Sequence, residues 1–282
     1  MMLTLPELSL YISHTCDIAC PSCFTYNNLN WGGHFKPDWD ELGKLKKNVW
    51  VDFIAILGGE PTTNPYLHEW MDLVDDVWEH HRDKWIVTNG RNLNSLPDNW
   101  ITRDWQLEIS AHSPVDLAKI FQWFQDECPH AVMKKYYSDD EDAYTHYQVC
   151  LGGAQIAKIS ESWFFFKESL IAKPGQKLTW DKLYDVETAH KNCIARHCMY
   201  FLEGRFYRCA RQAILPQLSK HFQIDGKYKN LAEQDLGCTA EELPEWSKTR
   251  LEPQSQCAFC PWAEKIKLPH RSVTKKIKVL QV

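Results

Sequence analysis

The chain has 282 residues, 44% of them hydrophobic, with a formal net charge of −5 and a pI near 6.2. That length supports one sizeable domain plus a smaller one, and the charge gives no global basic bias toward nucleic acid or a membrane surface. No apolar run approaches the roughly 18 residues of a membrane span, and Met1-Met2-Leu3-Thr4-Leu5-Pro6-Glu7 lacks the basic start of a signal peptide, so the expected location is cytoplasmic.

Strands are expected at Leu8–Ser13, Phe53–Leu57, Trp85–Thr88, Gln106–Ser110, Ala131–Tyr137 and Trp163–Phe166. Helical spacing appears weakly over Asp38–Lys47 and more strongly over Tyr66–His80, where Leu67, Trp70, Met71, Val74 and Val77 share a face. A third helix is expected over Val115–Glu127. This alternation predicts the α/β class, a parallel sheet with helical crossovers. Six strands fit a partial (β/α)6, TIM-like barrel over residues 1–190, with its chemistry at the carboxyl ends of the strands. Tyr137–Gly153, with Asp139-Asp140-Glu141-Asp142, reads as a solvated loop or lid. Lys173-Pro174-Gly175 opens a turn-rich stretch leading out of the barrel. The last eighteen residues carry six Lys/Arg and no acid, and read as a solvated terminus or edge strand.

Eleven cysteines are unusual for a chain in a reducing compartment and point to metal or redox chemistry. They fall in two groups, at 16–23 and 193–260, with Cys128 and Cys150 between. Cys16, Cys20 and Cys23 stand as C-x3-C-x2-C just after the first strand. Three thiolates on one loop can hold three irons of a cubic cluster and leave the fourth open to a small molecule. A zinc site would want a fourth protein ligand, and His14 stands close enough to supply one. The second strand ends in Gly58-Gly59-Glu60-Pro61. There a ligand can approach the backbone, and carbonyls or Glu60 can accept from an ammonium group. The third strand ends in Thr88-Asn89-Gly90 and the fourth in Ser110-Ala111-His112-Ser113. Those polar tips serve either a ligand or ordinary turns and helix caps.

The cysteine triplet followed by Gly58-Gly59-Glu60 resembles the radical S-adenosylmethionine (SAM) enzymes. The resemblance implies a [4Fe–4S] cluster on Cys16, Cys20 and Cys23, with SAM bound at Gly58, Gly59, Glu60 and Pro61. It places Thr88 and Asn89 close to SAM and Ser110 on its ribose or carboxylate. The residue before the third cysteine, often aromatic in that family, is Ser22 here, leaving Phe24 or Tyr26 to pack on adenine. His112 is either a substrate-facing acid/base or a loop histidine. The implied chemistry is reductive cleavage of SAM to a 5′-deoxyadenosyl radical, which abstracts hydrogen from an unactivated C–H bond. A flavodoxin- or ferredoxin-type electron donor is implied as a partner.

In the second group, Met199–Leu202 and Arg205–Arg208 around Glu203-Gly204 read as a β-hairpin, which sets Cys198 opposite Cys209. The run Cys193-x10-Gly204-x4-Cys209, with Cys257-x2-Cys260 beyond it, resembles the SPASM and twitch subdomains. Residues 191–282 are therefore expected as a small α+β twitch-like unit. It would carry a second, auxiliary [4Fe–4S] cluster on Cys209, Cys257, Cys260 and either Cys193, from the motif, or Cys198, from the hairpin. A four-thiolate zinc site is the alternative. Cys238 is expected to be structural. Cys150 is a candidate hydrogen donor or else a small buried residue. The expected substrate is a polar small molecule, a sugar, nucleotide or amino-acid derivative, with oxidation, epimerisation or rearrangement as outcome. The cadence Cys-Phe-Thr-Tyr-Asn-Asn, then Gly-Gly-Glu-Pro-x2-Asn-Pro and Trp70, also resembles short radical SAM proteins of bacteriophages. That makes radical SAM modification of a nucleotide or DNA base the alternative. A non-enzymatic zinc-binding module is the reading from another class.

Overall fold

Nine strands form one central sheet whose neighbours run mostly parallel. The computed structural model describes residues 2–78, 81–139, 144–162, 164–193, 195–261, 264, 266–269 and 275–282. In chain order the first part holds β1 (Leu3–Tyr11), α1 (Trp39–Gly43), β2 (Val49–Leu57), α2 (Leu67–Val77), β3 (His81–Thr88), β4 (Trp105–Ala111) and α3 (Pro114–Glu127). Next come β5 (Val132–Asp139), β6 (Tyr144–Leu151), β7 (Ala154–Ser162), β8 (Phe164–Phe166), β9 (Leu170–Ile171) and β10 (Thr179–Trp180). The C-terminal part adds α4 (Val186–Lys191), β11 (Met199–Leu202), β12 (Arg205–Tyr207), α5 (Ala210–His221), α6 (Gly226–Ala232), α7 (Leu243–Trp246) and β13 (Lys267–Pro269).

The sheet order is β12-β11-β1-β2-β3-β4-β7-β6-β5. The run from β11 through β1, β2, β3 and β4 to β7 is parallel, and the hairpin strands at both edges are antiparallel. The protein is thus a mixed α/β chain with a large, mostly parallel sheet. Its helices start where side chains can cap them. Asp38 accepts from the Glu41 amide ahead of α1, and Ser113 accepts from the Asp116 amide ahead of α3, which also has Pro in its first turn. α2 is shorter than its periodicity predicts, ending at Val77, and His80 lies outside the described residues.

Two expectations change here. Much of Tyr137–Gly153 is strand, not loop. β6 alternates between β5 and β7 as the middle strand of a meander. Gly152 and Gly153, at φ 59° and 90°, make the two-residue turn into β7 that such left-handed angles favour. Asp140-Glu141-Asp142 lie outside the described residues. The Trp163–Phe166 segment does not join the main sheet: β8 pairs with β13 in a separate two-stranded sheet, and Trp163 lies outside the described residues.

Strand alternation gives the sheet two unlike faces. On one, Leu10, Ile56, Ile86 and Leu107 stand in register and pack with Trp70, Met71, Ile120 and Phe124 in the main core. The other carries Ser9, Ala55, Trp85 and Gln106 in register, with Glu108 opposite Lys158 and Ser110 opposite Ser160. The first face anchors the sheet on its helices, and the second leads to the cleft described below. The C-terminal hairpin extends this sheet through β1, and α5 behind it is buried from Ala210 to Leu218. The described part of the basic tail is mostly exposed, with β13 an edge strand as expected and a few residues near its end tied to the fold. Ile277 bridges to Leu29, Gln281 bridges to Phe222, and Val279 is buried.

Candidate functional site

The cysteine loop begins where β1 ends, and backbone bonds pin it to the tip of β2. The Gly59 amide donates to Ser13 O at 2.7 Å, and the Glu60 amide to Thr15 O at 2.8 Å. A Cβ on Gly58 would meet Ser13 O at 2.7 Å, and one on Gly59 would meet the Thr15 carbonyl. Both glycines are therefore required by the approach of the chain's own cysteine loop, in addition to any ligand. Past this contact Cys16, Cys20 and Cys23 open onto a cleft of about 400 Å³ at the carboxyl ends of β2, β3, β4 and β7. Gly58, Gly59, Glu60, Thr88, Asn89 and Ser110 line it too, as do His112 and Phe24. Pro61 does not: it starts a single 3₁₀ turn that returns Thr62 to the Glu60 carboxylate.

Glu60 is fully buried and braces the cleft. Its Oε1 accepts from Thr88 Oγ1 at 2.6 Å, Thr62 Oγ1 at 2.7 Å and the Thr62 amide at 3.1 Å, while Oε2 accepts from the Asn89 amide at 2.7 Å. Burial raises its carboxyl above the ordinary range, against the pull of these four donors. Asn89 Nδ2 in turn donates to Asp17 Oδ1 at 2.6 Å, tying β3 to the cysteine loop. Glu60, Thr88 and Asn89 thus hold three chain segments in place, and Oε2 keeps one acceptor position.

Burial pushes the thiols of Cys16 and Cys20 up to about 12, and the neighbouring cysteines add to the rise. The Asn27 amide donates to Cys23 Sγ at 3.2 Å, and Thr25 Oγ1 lies 3.5 Å from the same sulfur. His112 Nδ1 stands 3.8 Å from Cys20 Sγ, so this residue belongs to the cysteine site as well as the cleft wall. His14 does not reach the cleft. It is buried, stacks on Trp31 at 4.0 Å and meets Tyr11 Oη through Nδ1 at 3.1 Å. Tyr26 is also buried away from the cleft, leaving Phe24 as the aromatic wall.

Two candidate residues do not line either site. Cys150 lies at the far end of the sheet. β6 runs antiparallel to β7, so Cys150 pairs with Gln155 at the start of β7 while the cleft residue Ser160 stands near its end. The β11–β12 register carries on to set Cys198 opposite Cys209, as the hairpin reading expects, but Cys198 does not line the C-terminal cavity, and its thiol donates to Glu7 Oε2 at 3.0 Å. The structure also adds residues that sequence reading passed over. Ser160 and Tyr200 line the cleft, and Ser160 Oγ is 2.9 Å from His146 Nδ1. The signal for Ser160 was the Gly152-Gly153 turn, which announces β7.

The second group assembles around a small cavity of about 30 Å³, lined by Cys193, Cys209, Cys257 and Cys260. Cys193 follows α4, Cys209 is the N-cap residue of α5, Cys257 lies within the 3₁₀ turn Ser255–Phe259, and Cys260 caps its end. Phe24 closes this cavity from the cleft side and so faces both sites. Three polar atoms of its lining residues, Arg211 Nε, Gln212 Oε1 and Gln256 Oε1, are buried without a hydrogen-bond partner. Gln256 is oriented by its Nε2, which donates to the carbonyls of Leu231 and Gln234 at 3.1 and 2.8 Å. Cys238 is buried in the main core, as its structural reading requires. No helix among the described residues is long and apolar enough to cross a membrane. No protein-family model matches the chain, and a search of curated proteins finds no match.

Proposed function

We propose that this protein is a radical SAM enzyme built on a partial (β/α)6 barrel, with a [4Fe–4S] cluster on Cys16, Cys20 and Cys23 and SAM in the adjoining cleft. The observation that carries the reading is that three thiols of one C-x3-C-x2-C loop share a cleft with Gly58-Gly59-Glu60. The residues fit the group on two counts. Three thiols on one loop hold three irons of a cubic cluster and leave one coordination position for a small ligand. A cleft of about 400 Å³ falls in the range of small-molecule sites. When bound, the cluster and SAM supply a radical able to abstract hydrogen from an unactivated C–H bond.

The chain's own residues do the rest. Glu60, Thr88 and Asn89 fix the wall against which a methionine moiety would lie. Phe24 offers an aromatic surface suited to adenine. Ser110 would meet the ribose or carboxylate of SAM, and Ser160 offers a hydroxyl to a polar substrate, consistent with a sugar, nucleotide or amino-acid derivative. A flavodoxin- or ferredoxin-type protein would deliver the electron.

At the C-terminal site the resemblance favours an auxiliary [4Fe–4S] cluster, here on Cys193, Cys209, Cys257 and Cys260. Its orphaned polar atoms fit a bound group. One observation favours zinc instead: the enclosed volume matches a single ion better than a cluster.

The test is iron, sulfide and zinc per chain after anaerobic purification, with 5′-deoxyadenosine measured after reduction in the presence of SAM. About eight irons, or about four irons and one zinc, together with 5′-deoxyadenosine, are expected. Iron-free protein after reconstitution would overturn the reading and leave the zinc-binding module.

A further inference from the structure

We propose that Arg211 is a positioning residue shared by the two cysteine sites, holding one positive charge against the thiolates of both. The inference rests on the iron-binding reading of the first site. α5 carries Arg211 two residues beyond Cys209, into the seam between the cleft and the C-terminal cavity. The side chain is 3% exposed, and its Nη1 and Nη2 donate to Glu168 at 3.0 and 2.8 Å. Its guanidinium lies over the rings of Phe24 and Tyr26, at 5.3 and 5.1 Å from their centres. Phe24 follows Cys23 directly and walls both cavities. Arg211 thus lines the C-terminal cavity together with Cys260 and stands on the ring of Phe24, the residue next to Cys23.

A buried ion pair is a poor stabiliser, because desolvation offsets most of the attraction. Its place between two thiol sites gives this one an electrostatic role. In a low-dielectric interior a single charge is felt strongly by groups on both sides. Thiolate-bound metal centres respond to nearby charge and to hydrogen bonds at sulfur. A cation favours the more negative, reduced state of the first site. At the second site it offsets the negative charge that four thiolates would bring to a bound metal centre. Glu168 opposes both effects, so the pair sets a balance that either partner alone would shift.

The test uses the full-length, anaerobically loaded protein with Arg211→Met, Arg211→Lys and Glu168→Gln. An EPR-monitored redox titration follows the signal that a Cys16/Cys20/Cys23→Ala variant lacks, and a chelator challenge follows metal loss from the C-terminal site. For Arg211→Met the reduced fraction at fixed potential is expected to fall at least tenfold, about 59 mV for a one-electron couple. Its C-terminal metal should be lost several-fold faster. Glu168→Gln should raise the reduced fraction, and Arg211→Lys should keep both readouts near wild type. Opposite shifts from the two partners, with rescue by lysine, are not produced by a packing defect. Should Arg211→Met fail to fold, the other two variants carry the same test. Shifts of one sign in both, or none in either, would make Arg211 a packing residue and overturn the proposal. Wild-type protein without iron is a separate result, which overturns the underlying reading and this inference with it.

Discussion

Cys16, Cys20 and Cys23 come from one loop of eight residues and face a cleft of about 400 Å³, whereas Cys193, Cys209, Cys257 and Cys260 come from three separate stretches and enclose about 30 Å³. The first arrangement is local. Its thiols are neighbours in any conformation of the loop, and the fold has only to brace that loop against β2 and β3. The second exists only when α4, α5 and the 3₁₀ turn near Cys257 have docked. A group bound at the first site is thus a tenant of the fold, while one bound at the second ties distant segments together and contributes to folding.

The largest expected effect follows from that contrast. Changing Cys16, Cys20 and Cys23 to Ala should abolish 5′-deoxyadenosine formation, by roughly 10³-fold or more on the scale of lost catalytic groups, with little change in unfolding midpoint. Changing Cys257 and Cys260 to Ala should instead lower stability by more than about 4 kcal/mol, the linkage from a tightly held ligand. Urea titration of both variants, with metal content measured beside it, checks the pair. Equal destabilisation by the two would break the distinction between a local and an assembled site.

The bracing of the first site can be attacked without touching a thiol. Glu60→Ala leaves the Thr62 and Asn89 amides and two threonine hydroxyls without their acceptor. That should cost at least about 3 kcal/mol, since each buried donor left unsatisfied costs about 1–3. Glu60→Gln keeps one oxygen acceptor and should lose about 1–3 kcal/mol, mainly at the Asn89 amide. Iron retention at the first site should fall in the same order, because Asn89 holds the cysteine loop through Asp17. Unchanged iron in Glu60→Ala would mean that the loop needs no brace.

How much of this could be read in the sequence follows the same division. The first site was legible because its signals are short: three cysteines, two glycines and Glu60 at strand ends. β1 to β4, α2 and α3 were legible from periodicity and caps. What the glycines meet was not, since only the folded chain brings Thr15 against Gly59. The meander was missed because the acidic run beside Tyr137 outweighed the alternation in Tyr144–Leu151 and the Gly152-Gly153 turn. The choice between Cys193 and Cys198 was undecidable from spacing. It depends on how α4, α5 and the turn near Cys257 close the cavity, which Cys193 lines and Cys198, bonded to Glu7, does not. Arg211 carried no local signal, because its partners Glu168, Phe24 and Tyr26 lie far away in the chain.

A smaller effect tests the polar sheet face beneath the cleft. Burial raises the Glu108 carboxyl, with Lys158 opposing and Glu7 adding to the rise. Its folded-state value therefore lies above the unfolded one, so the unfolded chain releases its proton first as pH rises. Stability from the protonated form is present below the unfolded value, near 4.3, and is lost as pH climbs through the folded value. Glu108→Gln should flatten that part of the stability profile in urea unfolding at several pH values. A profile unchanged by the substitution would mean that Glu108 is solvated like the unfolded chain.

The smallest expected effect bears most directly on whether the first site is open. His14 precedes Cys16 by two residues and is the histidine nearest the cysteines in the sequence. In the fold its ring stacks on Trp31 and meets Tyr11 through Nδ1, and it does not line the cleft, whereas His112 does. Replacing it by Phe keeps a ring against Trp31 and removes one hydrogen bond, at a cost of about 1 kcal/mol. Iron bound at the first site should not change, nor should its EPR line shape. Iron lost from His14→Phe would mean that the loop turns over on metal binding and that His14 is a fourth ligand. The first site would then be as closed as the second, with no iron left to bind a small molecule.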